Sequence, residues 1–151
     1  MELFRITKAE FAQKLFAPGF PGRWNRSGEE VIYAASSRSL ACLENLVHRR
    51  STVGTSSFRT MVIYAPDHST IQHINLQDLP DDWNQSPISH QCVTLGSEWY
   101  KTQKSLILRV PSAVIPDEFN FVLNTRHADF GKVKIVDALP FYFDRRLSQE
   151  S

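Results

Sequence analysis

The stretch VIYAASSRSLACLENLVHRR, residues 31–50, carries the strongest fold signal in the chain. Its first residues, 31–34, are β-branched and aromatic, which predicts a strand. Ser36 and Ser37 follow as N-cap candidates, and a basic pair at 49–50 suits a helix C-terminus. Apolar side chains recur between them at helical spacing: Leu40, Leu43 and Val47. The stretch therefore predicts a strand followed directly by a helix.

Short apolar runs on both sides predict further strands. They cover residues 3–6, 60–64, 105–110, 119–123 and 132–136, and a weaker one at 70–75 is expected to pair near 60–64 after a turn at Pro66. Helical spacing recurs at 8–15 and 89–103, with a polar loop or single turn at 77–83. Strands and helices do not alternate. We therefore predict an α+β fold, with a mixed, mainly antiparallel sheet and few helices.

The composition fits a single domain over residues 1–151, because 42% of the residues are hydrophobic and no repeat or long linker divides them. The 17 Lys and Arg balance 16 Asp and Glu, so the net charge of +1 gives no support to nucleic-acid or membrane binding. Charges interrupt the N-terminal apolar run that a signal peptide needs, which predicts a cytoplasmic protein. Cys42 and Cys92 are expected to be ordinary buried thiols in a reducing compartment.

The sequence lacks the motifs of several common enzyme classes. The sequence has no Gly-x-Gly-x-x-Gly, no phosphate-binding Gly-Lys-Ser/Thr loop and no Gly-x-Ser-x-Gly elbow. Its 5 histidines are scattered, and none is spaced from another His or Cys as zinc ligands are. We therefore expect no metal site.

Three residues near the central strand and helix are candidates for chemistry. Glu44 lies at the edge of the helix's apolar stripe, so it either lines a cleft or is a solvated glutamate on the helix flank. Arg23, in a Gly- and Pro-rich loop, either clamps a phosphate or carboxylate or stacks on Trp24. The Tyr33 ring either belongs to the core or forms a stacking wall for a planar ligand.

Three further polar residues stand in strands or at strand ends. Arg5 lies between Phe4 and Ile6, where a charge either points outward to solvent or reaches a partner or ligand. Ser112 and Asn124 each follow a predicted strand. Each of the two is either a turn residue or a ligand contact at a strand end.

In order along the chain, these residues stand in segments that closely resemble the RES domain family of bacterial toxins. The segments are LFRI at 3–6, GRWN at 22–25 with Gly28, VIYAASS at 31–37, SLA at 39–41, LENLVH at 43–48, VPSAVIP at 110–116 and LN at 123–124. The family is named for an arginine, a glutamate and a serine, which the resemblance places at Arg23, Glu44 and Ser112. Tyr33 and Asn124 stand at other characteristic polar positions. The resemblance covers nearly the whole chain, and the polar stretch 50–58 is its least similar part, with no role assigned.

The resemblance implies a fold similar to the ADP-ribosyltransferases of the diphtheria-toxin kind. It also implies a toxin that cleaves NAD⁺ in the host cell and arrests growth. NAD⁺ is then the substrate, and no separate cofactor is expected. A cognate antitoxin with an Xre-type helix-turn-helix domain would bind the toxin and cover its active-site cleft.

The resemblance further implies a role for each polar residue. Glu44 would stabilise the positive charge that develops on the ribose, with Arg23 on the diphosphate and Arg5 on the nearby ribose or phosphate. The remaining residues would shape the pocket: Tyr33 by stacking on nicotinamide or holding the adjacent ribose, and Ser112 and Asn124 by hydrogen bonds.

The sequence leaves the acceptor of the ADP-ribose group open. Water would make the protein a glycohydrolase, inorganic phosphate a phosphorolytic enzyme, and a protein side chain an ADP-ribosyltransferase. We favour NAD⁺ breakdown to a small acceptor, with modification of a specific host protein as the alternative. A further alternative is a module that binds the antitoxin without catalysis.

Overall fold

The computed structural model describes residues 1–49 and 57–148, which form one sheet of seven strands together with two α-helices. The strands are β1 (Glu2–Lys8), β2 (Val31–Ala35), β3 (Phe58–Tyr64), β4 (Ile71–His73), β5 (Ile107–Pro111), β6 (Phe119–Asn124) and β7 (Lys134–Phe141). The helices are α1 (Arg38–His48) and α2 (His90–Thr102). The predicted α+β fold is confirmed.

The strands follow the order β4-β5-β6-β2-β1-β3-β7 across the sheet. Each neighbouring pair is antiparallel except β4 and β5, which are parallel. The sheet is therefore mixed and mainly antiparallel, as the sequence predicts.

Pairing is interrupted between β1 and β2, in the middle of the sheet. β1 pairs with β3 along its full length, and β2 pairs with β6 along its full length. β1 and β2, in contrast, pair only at Phe4 and Ala35. We call the unpaired remainder of this boundary the split.

Both helices lie on the same face of the sheet, which we call the helix face. α1 packs on it against an apolar cluster that contains Phe4 and Ala35. α2 packs on it through Trp99 and Tyr100, against a second cluster formed mainly by β5 and β6. Tyr33 lies on this face opposite Val122, at the edge of the second cluster. Tyr33 therefore lies on the face of the sheet that carries both helices.

The start of α1 follows from its cap. Ser37 has an extended backbone, and its hydroxyl accepts a hydrogen bond from the Leu40 N–H at 3.1 Å. Such a cap satisfies one of the free N–H groups of the first turn. Leu40 and Ala41 then face the sheet and are buried. This part of the sequence prediction is confirmed.

The opposite face, which we call the loop face, is covered by residues 9–20. A predicted helix at 8–15 is wrong, because only a single 3-10 turn, Ala9–Phe11, forms there. β1 continues to Lys8, which pairs with Phe58, so the chain is still extended where the helix was expected to start. The apolar spacing instead serves a few contacts with the sheet, such as that of the buried Ala12.

The predicted strand at 70–75 forms as the shorter β4, but its expected pairing near 60–64 is wrong. β4 pairs in parallel with β5, at the far edge of the sheet from β3. Backbone groups at the start of β5 hold it there: the Leu106 N–H donates to the Thr70 hydroxyl at 3.1 Å, and the Ile107 N–H to the Thr70 carbonyl at 3.1 Å. These contacts join residues far apart in the chain, which a local pattern does not reveal.

The remaining sequence expectations concern loops, thiols and membrane spans. Residues 50–56, which make up most of the polar stretch 50–58, lie outside the described residues. Cys92 is buried as expected, whereas Cys42 is only half-buried, and both are free thiols. In the described part of the chain, neither helix is long and apolar enough to cross a membrane.

Candidate active site

Glu44 lies on α1, one turn after the buried Leu40 and Ala41. Its carboxylate is held where β5 ends and β6 begins. Its Oε1 accepts hydrogen bonds from Ser112 Oγ at 2.7 Å and from Asn120 Nδ2 at 2.6 Å. Its Oε2 faces the ring of His48, with Nε2 at 3.7 Å. The side chain is 19% exposed, so Glu44 is not the freely solvated alternative. Oε1 is thus fixed by two hydrogen bonds, whereas Oε2 has the longer contact with the exposed ring of His48.

Ser112 supports this carboxylate from the end of β5. Its hydroxyl accepts the N–H groups of Val114 at 3.1 Å and Ile115 at 3.0 Å, and donates its own hydrogen to Glu44. The residue is completely buried. Ser112 is thus a turn residue, as one alternative supposed, and its hydroxyl holds Glu44 from behind.

Asn120 is a site residue that the sequence reasoning missed. It lies in β6 between two phenylalanines and pairs with Ala35 of β2, which places it on the helix face under α1. Asparagine is depleted in strand interiors because its side chain competes for backbone hydrogen bonds. A polar amide in the middle of an apolar strand was therefore the available signal.

The surroundings of Glu44 favour its charged form. Burial alone would raise the pKa of Glu44, but the interaction with His48 and the hydrogen bonds from Ser112 and Asn120 outweigh burial and lower it below the ordinary value. Since an ordinary glutamate has a pKa of about 4.3, Glu44 is ionised at neutral pH. Its contribution to stability is fully present above the ordinary pKa of about 4.3 and is lost as the pH falls through the lowered pKa.

We expect Asn120→Ala to raise the pKa of Glu44, because one of the donors that favour the carboxylate is removed. A carbon-13 NMR titration of the Glu44 carboxyl group measures this directly. Asn75→Ala is the control, since the Asn75 cap interacts with Asp78 instead. An unchanged Glu44 pKa in Asn120→Ala would contradict the assigned network.

Arg23 is presented by a tight turn above the helix face. Gly22 and Asn25 exchange backbone hydrogen bonds of 3.2 and 3.4 Å, so Arg23 and Trp24 form the tip between them. Arg23 Nη1 donates to the carbonyl oxygen of Trp83 at 2.5 Å, and its guanidinium lies 5.8 Å from the Trp83 ring centre. The arginine therefore contacts Trp83, not Trp24 as the stacking alternative supposed. A guanidinium has five N–H donors, so most of them remain for an anion.

The turn is anchored to α2 from behind. Trp24 is buried, and its carbonyl group packs directly on Gly96, where a side chain would have no room. The buried Glu29 accepts hydrogen bonds from the Arg26 N–H at 2.7 Å and from Ser97 Oγ at 2.5 Å. These contacts fix the backbone of the turn, and with it the base of Arg23.

Tyr33 lies beneath the same turn. Its hydroxyl donates to Asn25 Oδ1 at 2.6 Å and accepts the Trp24 N–H at 3.1 Å. The ring is half-buried and packs against the α2 cluster. Tyr33 is therefore partly a core residue, as one alternative supposed, with a polar end bound to the loop.

Arg5 does not join these residues, because its side chain lies on the loop face. It pairs with Met61, which belongs to the loop-face core. Its Nη1 donates to the Tyr33 carbonyl at 2.9 Å, across the split. From the α1 side, Asn45 Nδ2 donates to the Ile6 carbonyl at 3.0 Å. Side chains thus bind backbone carbonyls where the two strands no longer pair.

A pocket opens beside Arg5 on the loop face. Its walls come from three strands and from the segment that precedes the Arg23 turn, and they include Arg5, Thr7, Ile32, Met61, Phe11, Lys14, Phe16 and Phe20. Phe11 and Phe16 are stacked, with ring centres 5.5 Å apart. The pocket therefore combines aromatic walls with two cationic side chains.

Asn124 is fully buried and both ends of its amide are bound within the protein. Nδ2 donates to the Tyr100 carbonyl at 2.9 Å, and Oδ1 accepts the Arg126 N–H at 3.0 Å. This is the turn-forming alternative, with an added link to α2. The structure thus brings Glu44 and Ser112 together and places Tyr33 and Asn124 on the helix face, with Arg23 above it. The Asn124 amide is bound to α2 and its own turn, and the Arg5 side chain lies on the loop face. Across residues 1–49 and 57–148, no group of three His, Cys, Asp or Glu side chains could hold a metal ion.

Comparison with known proteins identifies the family. The RES domain model matches residues 2–144. The chain belongs to the RES domain family. A relative from Yersinia enterocolitica, named Toxin Res, is 38% identical over 152 residues, which cover 97% of this chain and 99% of the relative. The Prs ADP-ribosylating toxin of a Sphingobium species is 35% identical over 133 residues, covering 86% and 82% of the two chains.

The fold of this RES domain also matches a solved complex. The M. tuberculosis MbcT-MbcA toxin-antitoxin complex contains a chain that superposes with a TM-score of 0.75 and 17% sequence identity. The match covers 93% of this chain and 83% of that one. At this identity the match concerns the fold.

Proposed function

We propose that this RES domain is a toxin that cleaves the bond between nicotinamide and ribose in NAD⁺. The observation that carries the proposal is the carboxylate of Glu44, which is ionised, partly shielded from water, and fixed through one oxygen while the other is left for a ligand. A preorganised negative charge of this kind is what an oxocarbenium-like transition state requires. Family membership supports the same reaction class.

In this reaction the bond between ribose C1′ and the nicotinamide nitrogen breaks, and its electron pair leaves with nicotinamide. Because NAD⁺ carries a pyridinium, nicotinamide departs neutral and needs no acid. The positive charge passes to the ribose, where Glu44 stabilises it and binds a ribose hydroxyl through Oε2. An acceptor then attacks C1′ and releases its proton, so that water yields ADP-ribose, nicotinamide and one proton.

Arg23 and Tyr33 are proposed to bind the substrate beside Glu44. Arg23 stands at the tip of its turn with donors free for the diphosphate, and charge-assisted pairing with phosphate is strong in this geometry. Tyr33 offers its ring to nicotinamide or the adjacent ribose, since its hydroxyl is bound to the turn.

Arg5 is proposed to contact the other half of the dinucleotide. Its pocket has aromatic walls and a second cation, Lys14, which suits a planar base with a phosphate attached. Arg5 also reaches the Tyr33 carbonyl, so this pocket is linked to the strand that lies beneath the Arg23 turn. Ser112 is proposed to orient Glu44, and Asn124 to shape the pocket indirectly through α2.

The acceptor defines two candidate activities that share this first step. We favour a small acceptor, water or inorganic phosphate. Transfer to a specific host protein is the second candidate, and the name of the Sphingobium relative, an ADP-ribosylating toxin, favours it. A module that only binds an antitoxin is less well supported, because the Glu44 network is complete.

We further propose a cytoplasmic complex with a cognate antitoxin that has an Xre-type helix-turn-helix domain. The solved neighbour is a toxin-antitoxin complex, which supports a protein partner of this general kind. An antitoxin segment placed between Arg23 and Glu44 would exclude NAD⁺. Growth arrest would then follow only when the toxin is free.

We expect the purified protein to release nicotinamide from NAD⁺, and cells that express it to lose NAD⁺ and stop growing. Mass spectrometry of the products distinguishes the acceptors: ADP-ribose for water, its 1-phosphate for phosphate, and labelled macromolecules for transfer. Arg23→Ala and Glu44→Ala should abolish the loss of cellular NAD⁺. Folded protein that binds its antitoxin but gives no nicotinamide and no labelled product would instead identify a binding module.

A further inference from the structure

Asn25 sits at the centre of the loop that carries Arg23, and it is 1% exposed. Its Nδ2 donates to the carbonyls of Phe20, Arg26 and Glu29 at 2.9, 3.1 and 3.3 Å. Its Oδ1 accepts the Tyr33 hydroxyl at 2.6 Å. A single buried amide therefore ties together the start and end of the loop and the strand below it.

The Tyr33 hydroxyl is fully used by this loop. It donates to Asn25 and accepts the Trp24 N–H, which lies next to Arg23 in the chain. The turn approaches this hydroxyl closely, because a Cβ on Gly22 would lie 2.7 Å from the hydroxyl oxygen. Glycine is therefore required at the base of the turn by this close approach.

We propose that Asn25 and the Tyr33 hydroxyl form a positioning unit that sets where Arg23 stands over the cleft. The inference rests on the proposed function and adds two roles to it. Asn25 becomes a positioning residue for substrate binding. The Tyr33 hydroxyl holds the turn and takes no part in proton transfer, while the Tyr33 ring remains the part that faces the substrate.

Electrostatics agree with this division of roles. Burial raises the pKa of the Tyr33 phenol above its ordinary value, so the hydroxyl keeps its proton and keeps donating to Asn25. Cleavage of NAD⁺ needs no proton donor for nicotinamide. Neither the chemistry of the substrate nor the geometry of the loop therefore requires the Tyr33 hydroxyl to act as an acid.

The test uses Tyr33→Phe, which keeps the ring and removes both hydrogen bonds. We expect the KM for NAD⁺ to rise roughly tenfold, as for the loss of about 1.4 kcal/mol of hydrogen bonding, while kcat stays within about threefold. Amide exchange of the Trp24 N–H should accelerate in Tyr33→Phe.

Tyr100→Phe is the matched control. The Tyr100 hydroxyl is buried on α2 and accepts the Glu30 N–H at 3.1 Å, outside the Gly22–Asn25 turn. Tyr100→Phe should leave the KM for NAD⁺ and the amide exchange rate of the Trp24 N–H unchanged. Asn25→Ala should resemble Tyr33→Phe in KM, with a larger loss of stability because the carbonyls of Phe20, Arg26 and Glu29 all lose this donor.

Two results would overturn the proposal. One is a fall in kcat with an unchanged KM in Tyr33→Phe, which would place the hydroxyl in the chemical step. The other is unchanged exchange of the Trp24 N–H, which would mean that the hydroxyl does not hold the turn. If the wild-type protein released no nicotinamide, the proposed function would fail by itself, and the exchange measurement would still decide whether the unit exists.

Discussion

Glu44→Gln should lower the rate of nicotinamide release by at least about 100-fold, with little change in KM. Removing one preorganised electrostatic contact to a charged transition state costs on the order of 10² to 10³ in kcat. The amide keeps the size of the side chain and one oxygen that can still accept the hydrogen bonds from Ser112 and Asn120, but it removes the negative charge. The charge is needed only when the ribose becomes cationic, so substrate binding should change much less than the chemical step.

A Glu-to-Gln substitution on α2 is the control for effects of the exchange that do not depend on the site. Glu98 is exposed on α2, and Glu98→Gln should leave kcat and KM unchanged. Circular dichroism of both variants verifies that α1 and α2 persist. A Glu44→Gln protein with near wild-type kcat would remove Glu44 from the chemical step and leave the cleft without its proposed cation stabiliser.

Gly96→Ala should lower both stability and activity, although alanine is the better helix former. In an unobstructed helix this change stabilises by about 1 kcal/mol. At Gly96 the new methyl group would overlap the carbonyl group of Trp24, so either α2 or the Arg23 turn must move. Overpacking of this kind costs typically about 1–3 kcal/mol of the free energy of unfolding.

The measurement is thermal unfolding together with the KM for NAD⁺. Each kcal/mol lost should lower the Tm by roughly 2–4 °C for a chain of this size. The KM should rise, because the displaced turn carries Arg23. Gly131→Ala is the control, since a Cβ there meets nothing within 4 Å. A Gly96→Ala protein as stable and active as Gly131→Ala would contradict the described contact between α2 and the turn.

Local signals in the sequence were reliable where neighbours in the chain decide the structure. The cap at Ser37 and the apolar spacing of α1 depend on residues within a few positions of each other, and both were predicted. The candidates Arg23 and Tyr33 were likewise identified from the loop and strand that contain them. The helix expected at 8–15 failed because the strand β1 extends into it by pairing with β3.

The site itself required the folded chain. Glu44 and Asn120 are 76 positions apart, and only the packing of α1 on β6 brings them together. The sequence did not reveal on which face of the sheet each side chain lies, and the alternation of side chains along β1 places Arg5 on the loop face, opposite Tyr33. A glycine within a helix is by residue type a weak point, whereas the contact of Gly96 with Trp24 makes it the place where the turn packs on α2.

By itself, therefore, the sequence determined the α+β class, the boundaries of α1, and the side chains available for chemistry, because capping, periodicity and residue type are local properties. Only the tertiary structure decided which oxygen of Glu44 is held by the protein, which residues hold it, and which face each arginine occupies. Those outcomes depend on strand pairing and helix docking between distant segments, and the resulting hydrogen bonds form only after the sheet has assembled.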